Sequence, residues 1–233
     1  MNYEYSVPLF DSTNIVVKSN YIQNKLLPNK IITNNLLFKP IWNYDSKTIY
    51  DLYVGHDKKI QYMPVKRFEN LKDVIDEKEK CRGKYNNNVS CKYIIEKKDS
   101  NQIIGVTGFI IDWDKNKSGY YIWLKEKYRG YEYSKERGIA FTSISFEILD
   151  LDSVKISVIT ENSNSSKAIW KYIREFGGYP TGLQLNYKNI TDSNEKDDII
   201  EFTVTKQDYY NSLNNPSNKY TGINRLNTLI SKL

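Results

Sequence analysis

The chain has 233 residues, a formal net charge of +6, a pI near 9.0, two cysteines and a single histidine. That length holds one hydrophobic core without division, and so few cysteines and histidines exclude a disulfide framework and a Cys/His zinc site. A mean hydropathy of −0.63, no apolar run of about 18 residues and no basic-then-apolar leader argue against a membrane partner and read as a soluble, intracellular, cytoplasmic chain. Basic residues are interleaved with acid, as in Glu96-Lys97-Lys98-Asp99, and read as solvated surface. No nucleic-acid motif accompanies them.

Residues 1–30 mix aromatic and polar side chains without a period and form an extension of unassigned structure. A strand is expected at about 31–39. A helix then starts near Asp45 and Ser46, both good caps, and carries Ile49, Leu52 and Tyr53 inward. A second helix at about 69–82 would bury Leu71, Val74 and Ile75, and Asn86, Asn87 and Asn88 end it. Strands at 90–97, 102–112 and 119–125, separated by the polar turns at 99–101 and 114–118, make an antiparallel meander.

The segment from Gly119 to Leu151 carries the most chemistry. Its last strand runs into a turn at Gly130, and a helix follows with Tyr133, Ala140, Phe141, Ile144, Ile148 and Leu151 at helical spacing. A helix opening directly from such a turn aims its unpaired N–H groups at an anion. Lys127 and Arg129 add positive charge, and Glu132 opposes it. A strand at 153–160, a helix at 163–176 and a hairpin of 183–189 with 199–205 around Asp192-Ser193-Asn194 complete the pattern. From Asn214 a linker leads to a short Leu/Ile-bearing helix. Strands mixed with two crossover helices predict an α/β (α+β) fold, a mixed and mostly antiparallel central sheet flanked by helices.

The turn, Lys127-Tyr128-Arg129-Gly130-Tyr131-Glu132, resembles the Q/R-x-x-G-x-G/A turn of the GNAT acetyltransferases, which receives the pyrophosphate of acetyl-coenzyme A. The wording is most similar to the ribosomal-protein-alanine acetyltransferase branch, with its YRGxGYxxEA-like phrase. Tyr128, Arg129, Gly130, Tyr133 and Glu136 fall on that phrase; Glu132 and Arg137 stand where it has its second glycine and its alanine. Thr33 to Pro40 is similar to the branch's TERLxLRP-like first strand, and Gln61-Tyr62-Met63-Pro64 to its aromatic-Met/Leu-Pro phrase. Asn162 and Ser165 supply its N-x-x-S. The family's GF arrives about one helical turn late, as Gly177-Gly178-Tyr179. The resemblance covers 31–210 and leaves extensions at 1–30 and 211–233.

What the resemblance implies is a GNAT-like fold using acetyl-coenzyme A as cosubstrate to acylate a primary amine by direct attack on the thioester. The acceptor stays open between a protein N-terminus and a small amine, and a homodimer stays open too. The cofactor would meet the strand backbone at Trp123 and Leu124, the turn at Lys127, Arg129, Gly130, Tyr131, Glu132 and Tyr133, and Asn162 and Ser165 beyond. Ser165 would partner the departing sulfur, with Tyr172 as the alternative acid and Glu161 as a base acting through water. Each residue also has a plainer role. Asn162 and Ser165 cap helices everywhere, Tyr172 suits a core, Glu161 suits a surface, Asp112 and Asp114 shape turns, and His56 suits a helix end. Trp42, Tyr62, Trp113 and Tyr131 line an acceptor groove or are dispersed aromatics. If the Glu132 carboxylate points inward, the fold becomes a binding module without the cofactor.

Overall fold

The computed structural model describes residues 4–8, 14–18, 25–54, 68–187 and 197–214. His56, the 61–64 phrase, the turn at 192–194 and the segment from 215 onward lie outside them. The expected meander forms as β5 (Ser90–Lys97), β6 (Ile103–Asp112) and β7 (Lys117–Leu124), paired antiparallel in sequence. Alternation sends successive side chains of each strand to opposite faces. Tyr93, Ile95, Tyr120 and Leu124 enter one core, and Ile94, Val106 and Trp123 enter another on the far side.

Helices cover both faces. The second core is closed by α1 (Ser46–Tyr53), capped by the Asp45 side chain, and α2 (Leu71–Asn86), opened by an Asn70/Asp73 capping box. The first core, larger by its roll of side chains, is closed by α3 (Tyr131–Ser143), α4 (Ser163–Ile173) and α5 (Lys206–Asn214). The remaining strands are β1 (Glu4–Pro8), β2 (Asn14–Lys18), β3 (Ile31–Ile32), β4 (Leu36–Pro40), β8 (Ser153–Ile159), β9 (Tyr179–Tyr187) and β10 (Asp197–Thr205). They complete a ten-stranded sheet in the order β1-β2-β3-β4-β5-β6-β7-β8-β10-β9. Its pairs are antiparallel apart from β7 with β8. The sheet is thus the mixed, mostly antiparallel one expected.

Two local expectations need correction, and two segments without an assignment from the sequence gain elements. The strand at 31–39 is two strands, because Thr33 and Leu36 close a tight turn: the Thr33 N–H donates to the Leu36 carbonyl at 2.9 Å and the Leu36 N–H to Thr33 Oγ1 at 3.1 Å. In α2 the buried stripe is Val74 and Cys81, while Leu71 and Ile75 are 46% and 47% exposed. The sheet below offers polar partners, so Glu77 faces it to pair with Lys92, and Lys78 Nζ reaches the Tyr44 carbonyl at 2.6 Å. Part of the N-terminal extension joins the sheet as β1 and β2, with Val16 and Val17 opposite Ile32 and Ile31. Asn214 ends α5 where a linker was expected to begin; Thr205 Oγ1 caps that helix from below and Tyr209 anchors it in the core.

Among the described residues no helix is long and apolar enough to cross a membrane, and no cluster of His, Cys, Asp and Glu could hold a metal ion.

Candidate active site

The crossover helix α3 joins β7 to β8, which lie parallel but pair only at Lys117 with Ser153 and Ser118 with Val154. Beyond that point β7 stays on β6 and β8 stays on β10, so the two strands part. The Lys125 N–H donates to the Ile104 carbonyl at 2.8 Å, which fixes the phase of the β6–β7 ladder. Alternate residues of an antiparallel strand bond to the same neighbour, so the backbone groups of Tyr120, Ile122 and Leu124 face the widening gap. Arg129 Nε takes the Leu124 carbonyl at 3.0 Å. The others wait for a partner that is not β8.

The gap is a cleft of about 130 Å³, walled by Tyr120 and Ile122 on one side and by Ile156 and Val158 on the other. Asn162, which caps α4, Ser165 and Tyr172 within α4, and Ser134 and Arg137 of α3 complete its lining. Three residues singled out in the sequence therefore share a cleft with Ser134, which lies in the first turn of the helix that follows the glycine turn.

The Lys127-to-Tyr133 segment lies in the chain between the lining residues Ile122 and Ser134, although none of its own residues lines the cleft. A single 3-10 turn at Glu126–Tyr128 leads to Gly130, which caps α3 in extended backbone. Gly130 offers no side chain to cap the first turn of α3, so this helix start is of the kind that receives an anion. Lys127 Nζ lies 4.8 Å from the centroid of the Tyr128 ring, Tyr133 is half-buried against Tyr128 at 6.4 Å, and Glu132 is exposed. A Cβ placed on Gly130 would meet no atom within 4 Å. The fold itself makes no demand for glycine there.

Two pieces of the recognised pattern also meet directly. Glu136 accepts hydrogen bonds from Thr33 Oγ1, from the Asn35 N–H at 2.8 Å and from Asn35 Nδ2 at 2.9 Å. That buried carboxylate locks α3 to the β3–β4 turn and so sets the direction in which the helix leaves the glycine turn.

Other candidates fall elsewhere. The Trp123 ring points into the opposite core, stacked on Tyr53 at 6.4 Å, and its backbone is turned to β6, so the cofactor contact expected there is not made; the Leu124 side chain fills the α3 core and only its backbone faces the gap. Asn162 caps α4 by accepting the Ser165 N–H at 3.3 Å, and its position on the cleft wall leaves it free to serve both purposes. Glu161 is exposed beside it. Trp42 packs on Tyr85 at 5.0 Å, and Trp113 donates to the Asn88 carbonyl at 2.7 Å; neither lines the cleft. Asp112 accepts the Lys115 N–H at 3.2 Å, a turn role.

Tyr172 is fully buried and its hydroxyl has no hydrogen-bond partner. Burial pushes its phenol above the ordinary tyrosine range, while the nearby Arg137 cation pulls the other way. The Tyr120 hydroxyl and the Arg137 guanidinium lie close to it without the geometry of a hydrogen bond. Tyr120 itself shares a hydrogen bond with Thr142 at 2.8 Å. Sequence reasoning noted Arg137 only as a departure from alanine and did not weigh Tyr120 or Ser134. An arginine at a position where the pattern has the smallest apolar side chain was the available signal.

An uncapped helix start that opens onto a wedge between two parting parallel strands defines a site for a long ligand with a diphosphate at one end. A family model described as the acetyltransferase (GNAT) domain matches residues 35–172, and the chain belongs to the GNAT acetyltransferases, which use acetyl-coenzyme A. Solved structures similar to the chain include the spermidine N-acetyltransferase of Vibrio cholerae in complex with CoA and spermine, 16% identical, with a TM-score of 0.61 over 76% of this chain and 98% of that one. A Vibrio cholerae protein provisionally assigned as a ribosomal-protein-serine acetyltransferase is 16% identical, with a TM-score of 0.63 over 76% and 97%. A protein of Chromobacterium violaceum provisionally assigned to the same family is 15% identical, with a TM-score of 0.66 over 79% and 90%. At such identities these likenesses speak for the fold alone. No curated protein matches the sequence significantly.

The residues fit the cofactor. The free N–H groups and flanking bases suit its diphosphate, the exposed backbone of β7 suits an amide-bearing arm, and the unpartnered Tyr172 hydroxyl stands at the inner end. Two substitutions separate the turn's role in binding from its role in folding. Gly130→Ala should leave stability within about 1 kcal/mol, since its Cβ enters open space, yet weaken acetyl-coenzyme A roughly tenfold or more by standing where the diphosphate approaches. Glu132→Gln, which removes an exposed charge, should tighten binding by no more than about fivefold. Calorimetric titration and a thermal melt of each variant read both effects.

Proposed function

We propose that this chain acetylates the α-amine of a protein or peptide N-terminus, as its resemblance to the ribosomal-protein-alanine branch implies. One observation supports this acceptor over a lysine or polyamine. Among the described residues, the cleft lining contains no carboxylate and no histidine, and its one ionic side chain is the cation Arg137. A polycation would meet repulsion there with no acid to hold it. An amine of the lysine type, with a pKa near about 10.4, needs a base before it can attack; an α-amine titrates near about 7.7 to 8.0 and is substantially neutral without one.

The chain's own residues then have limited tasks. The β7 backbone at Tyr120 and Ile122 orients the thioester arm, and one of its N–H groups supports the carbonyl oxygen as it gains charge. Asn162 and Ser165 hold the arm from α4. Tyr172 presents a phenol whose proton is retained across the working range. Glu161, exposed beside Asn162, passes the proton of the attacking nitrogen to water.

The test offers the full chain acetyl-coenzyme A with three acceptors: a peptide with a free N-terminus, the same peptide with a blocked N-terminus and an internal lysine, and spermine. Thiol release should follow the free N-terminus. Its kcat/KM should rise with pH up to about 8 and then stay level to about pH 10, because the acceptor loses its proton early and the raised Tyr172 phenol loses its own late. Preference for spermine, or a profile still climbing at pH 10, would assign a different acceptor class. Failure of acetyl-coenzyme A to bind at all would remove catalysis from the account.

A further inference from the structure

Arg137 is 2% exposed, and its Nε and Nη1 are buried without a hydrogen-bond partner. The guanidinium lies 4.5 Å from the centroid of the Tyr120 ring and 5.9 Å from that of Phe141. Among the described residues no carboxylate answers it. On α3 itself Glu132 is exposed, Glu136 is turned to Thr33 and Asn35, and Lys135 lies 3.6 Å from Glu175. From β7 and α4 the groups facing it are the phenols of Tyr120 and Tyr172, and β8 contributes Ile156, Ser157, Val158 and Ile159 to the cleft, none of them charged.

A permanently charged side chain in such a place is strongly unfavourable, and aromatic faces return only part of the loss. Its two free donors lie among the walls of the cleft, and they call for an anion that the described residues do not supply. The position identifies which anion. Phosphates belong at the uncapped start of α3, and Arg137 is about two helical turns further in, beside Tyr120 and Tyr172 at the inner end of the cleft. The atom of an acyl-coenzyme A that gains charge at that end is its sulfur.

We propose that the Arg137 guanidinium holds the coenzyme A sulfur as a thiolate when the acetyl group leaves, an inference that rests on the acetyl-coenzyme A reading of the cleft. The amine nitrogen bonds to the acetyl carbon, the carbon–sulfur bond breaks with its electron pair on sulfur, and the proton lost by nitrogen passes to water. Negative charge on sulfur then lies against a buried cation, where the interaction is stronger than in water. The sulfur leaves without first acquiring a proton, and the Tyr172 hydroxyl adds a hydrogen bond to it.

The test needs no acceptor. The thiol of coenzyme A bound to the full chain is titrated by its ultraviolet thiolate absorbance, and affinities for coenzyme A and desulfo-coenzyme A are compared in wild type, Arg137→Met and Arg137→Lys. In the wild type the bound thiol should titrate about one unit or more below the free one, and coenzyme A should outbind its desulfo analogue increasingly as pH rises. Arg137→Met should return the thiol to its free value and erase that preference; Arg137→Lys should keep part of both. A bound thiol that titrates like the free one overturns the inference while leaving the cofactor reading intact. So does an Arg137→Met variant that weakens both ligands equally, which would assign the guanidinium to the neutral arm. Absence of binding by either ligand overturns the inference and the cofactor reading together. Should Arg137→Met not fold, the wild-type titration and the lysine variant decide alone.

Discussion

Replacing Gly105 with alanine should destabilise the fold by about 3 kcal/mol or more and abolish saturable binding of acetyl-coenzyme A. Gly105 lies on β6 directly opposite Leu124 of β7. A Cβ there would stand 2.1 Å from the Trp123 carbonyl oxygen, 2.8 Å from Leu124 Cδ2 and 3.0 Å from Leu124 Cα. The nearest obstacle is backbone, which no side-chain rotation relieves, so β7 itself must move. It cannot move alone, because Arg129 Nε holds the Leu124 carbonyl and the Lys125 N–H is bonded to Ile104. Displacing this end of β7 shifts the glycine turn and the wall of the cleft together. Gly182 on β9 supplies the control: a Cβ there meets nothing within 4 Å, so Gly182→Ala should change stability by less than about 0.5 kcal/mol and leave binding alone. Denaturant melts and calorimetry of both variants check the contrast, and a Gly105→Ala chain that melts and binds like wild type would show that β7 is free to yield.

Elements bounded by turn residues and filled by alternating apolar side chains were legible in the sequence. Strands β5 to β8 and helices α1, α3 and α4 lie close to where period and caps put them, because local signals such as Asp45 before α1 and Asn162 before α4 decide those boundaries. Where tertiary partners decide, local signals misled. The inward face of α2 follows Lys92 and the Tyr44 carbonyl below it, which no helical periodicity reveals. Residues 4–8 and 14–18 show no pattern of their own, and their strands are defined by pairing with each other and with β3.

The candidate site divides in the same way. The turn, Asn162, Ser165 and Tyr172 could be named because residue types in a recognised order carried them. What makes them a site is the parting of β7 from β8, and that is a matter of backbone pairing to which side-chain identity contributes almost nothing. The lock between Glu136 and Thr33 spans 103 residues; order along the chain hinted that both pieces mattered, and only the fold shows that they touch. Glu132, which divided enzyme from binder in the sequence, is exposed and outside the cleft lining. The residue that divides readings within the cleft is Arg137, whose lack of a carboxylate among the described residues no sequence could display.

Arg137→Met should therefore make the ligand-free chain more stable, by about 1 to 3 kcal/mol, while slowing acetyl transfer by about 10²-fold. Methionine nearly matches the arginine stem in length, keeps contact with Tyr120 and Phe141, and leaves no buried donor unpaired. The wild-type chain carries the opposite arrangement, a cation with two orphaned donors 98% out of reach of solvent by its 2% exposure, which persists only if binding or catalysis gains from it. For a domain of this size each 1 kcal/mol moves the melting temperature by about 2 to 4 °C, so the ligand-free variant should melt measurably higher than wild type. Coenzyme A at high pH, where its thiol ionises, should narrow or invert the difference, because only the wild type offers the sulfur a cation and ligand binding adds to stability in proportion to affinity. A ligand-free variant that melts lower by the equivalent of 1 kcal/mol or more would identify Arg137 as a strut between Tyr120 and Tyr172. The order of the two melts, with and without coenzyme A, distinguishes a residue kept for the fold from one the fold tolerates for its chemistry.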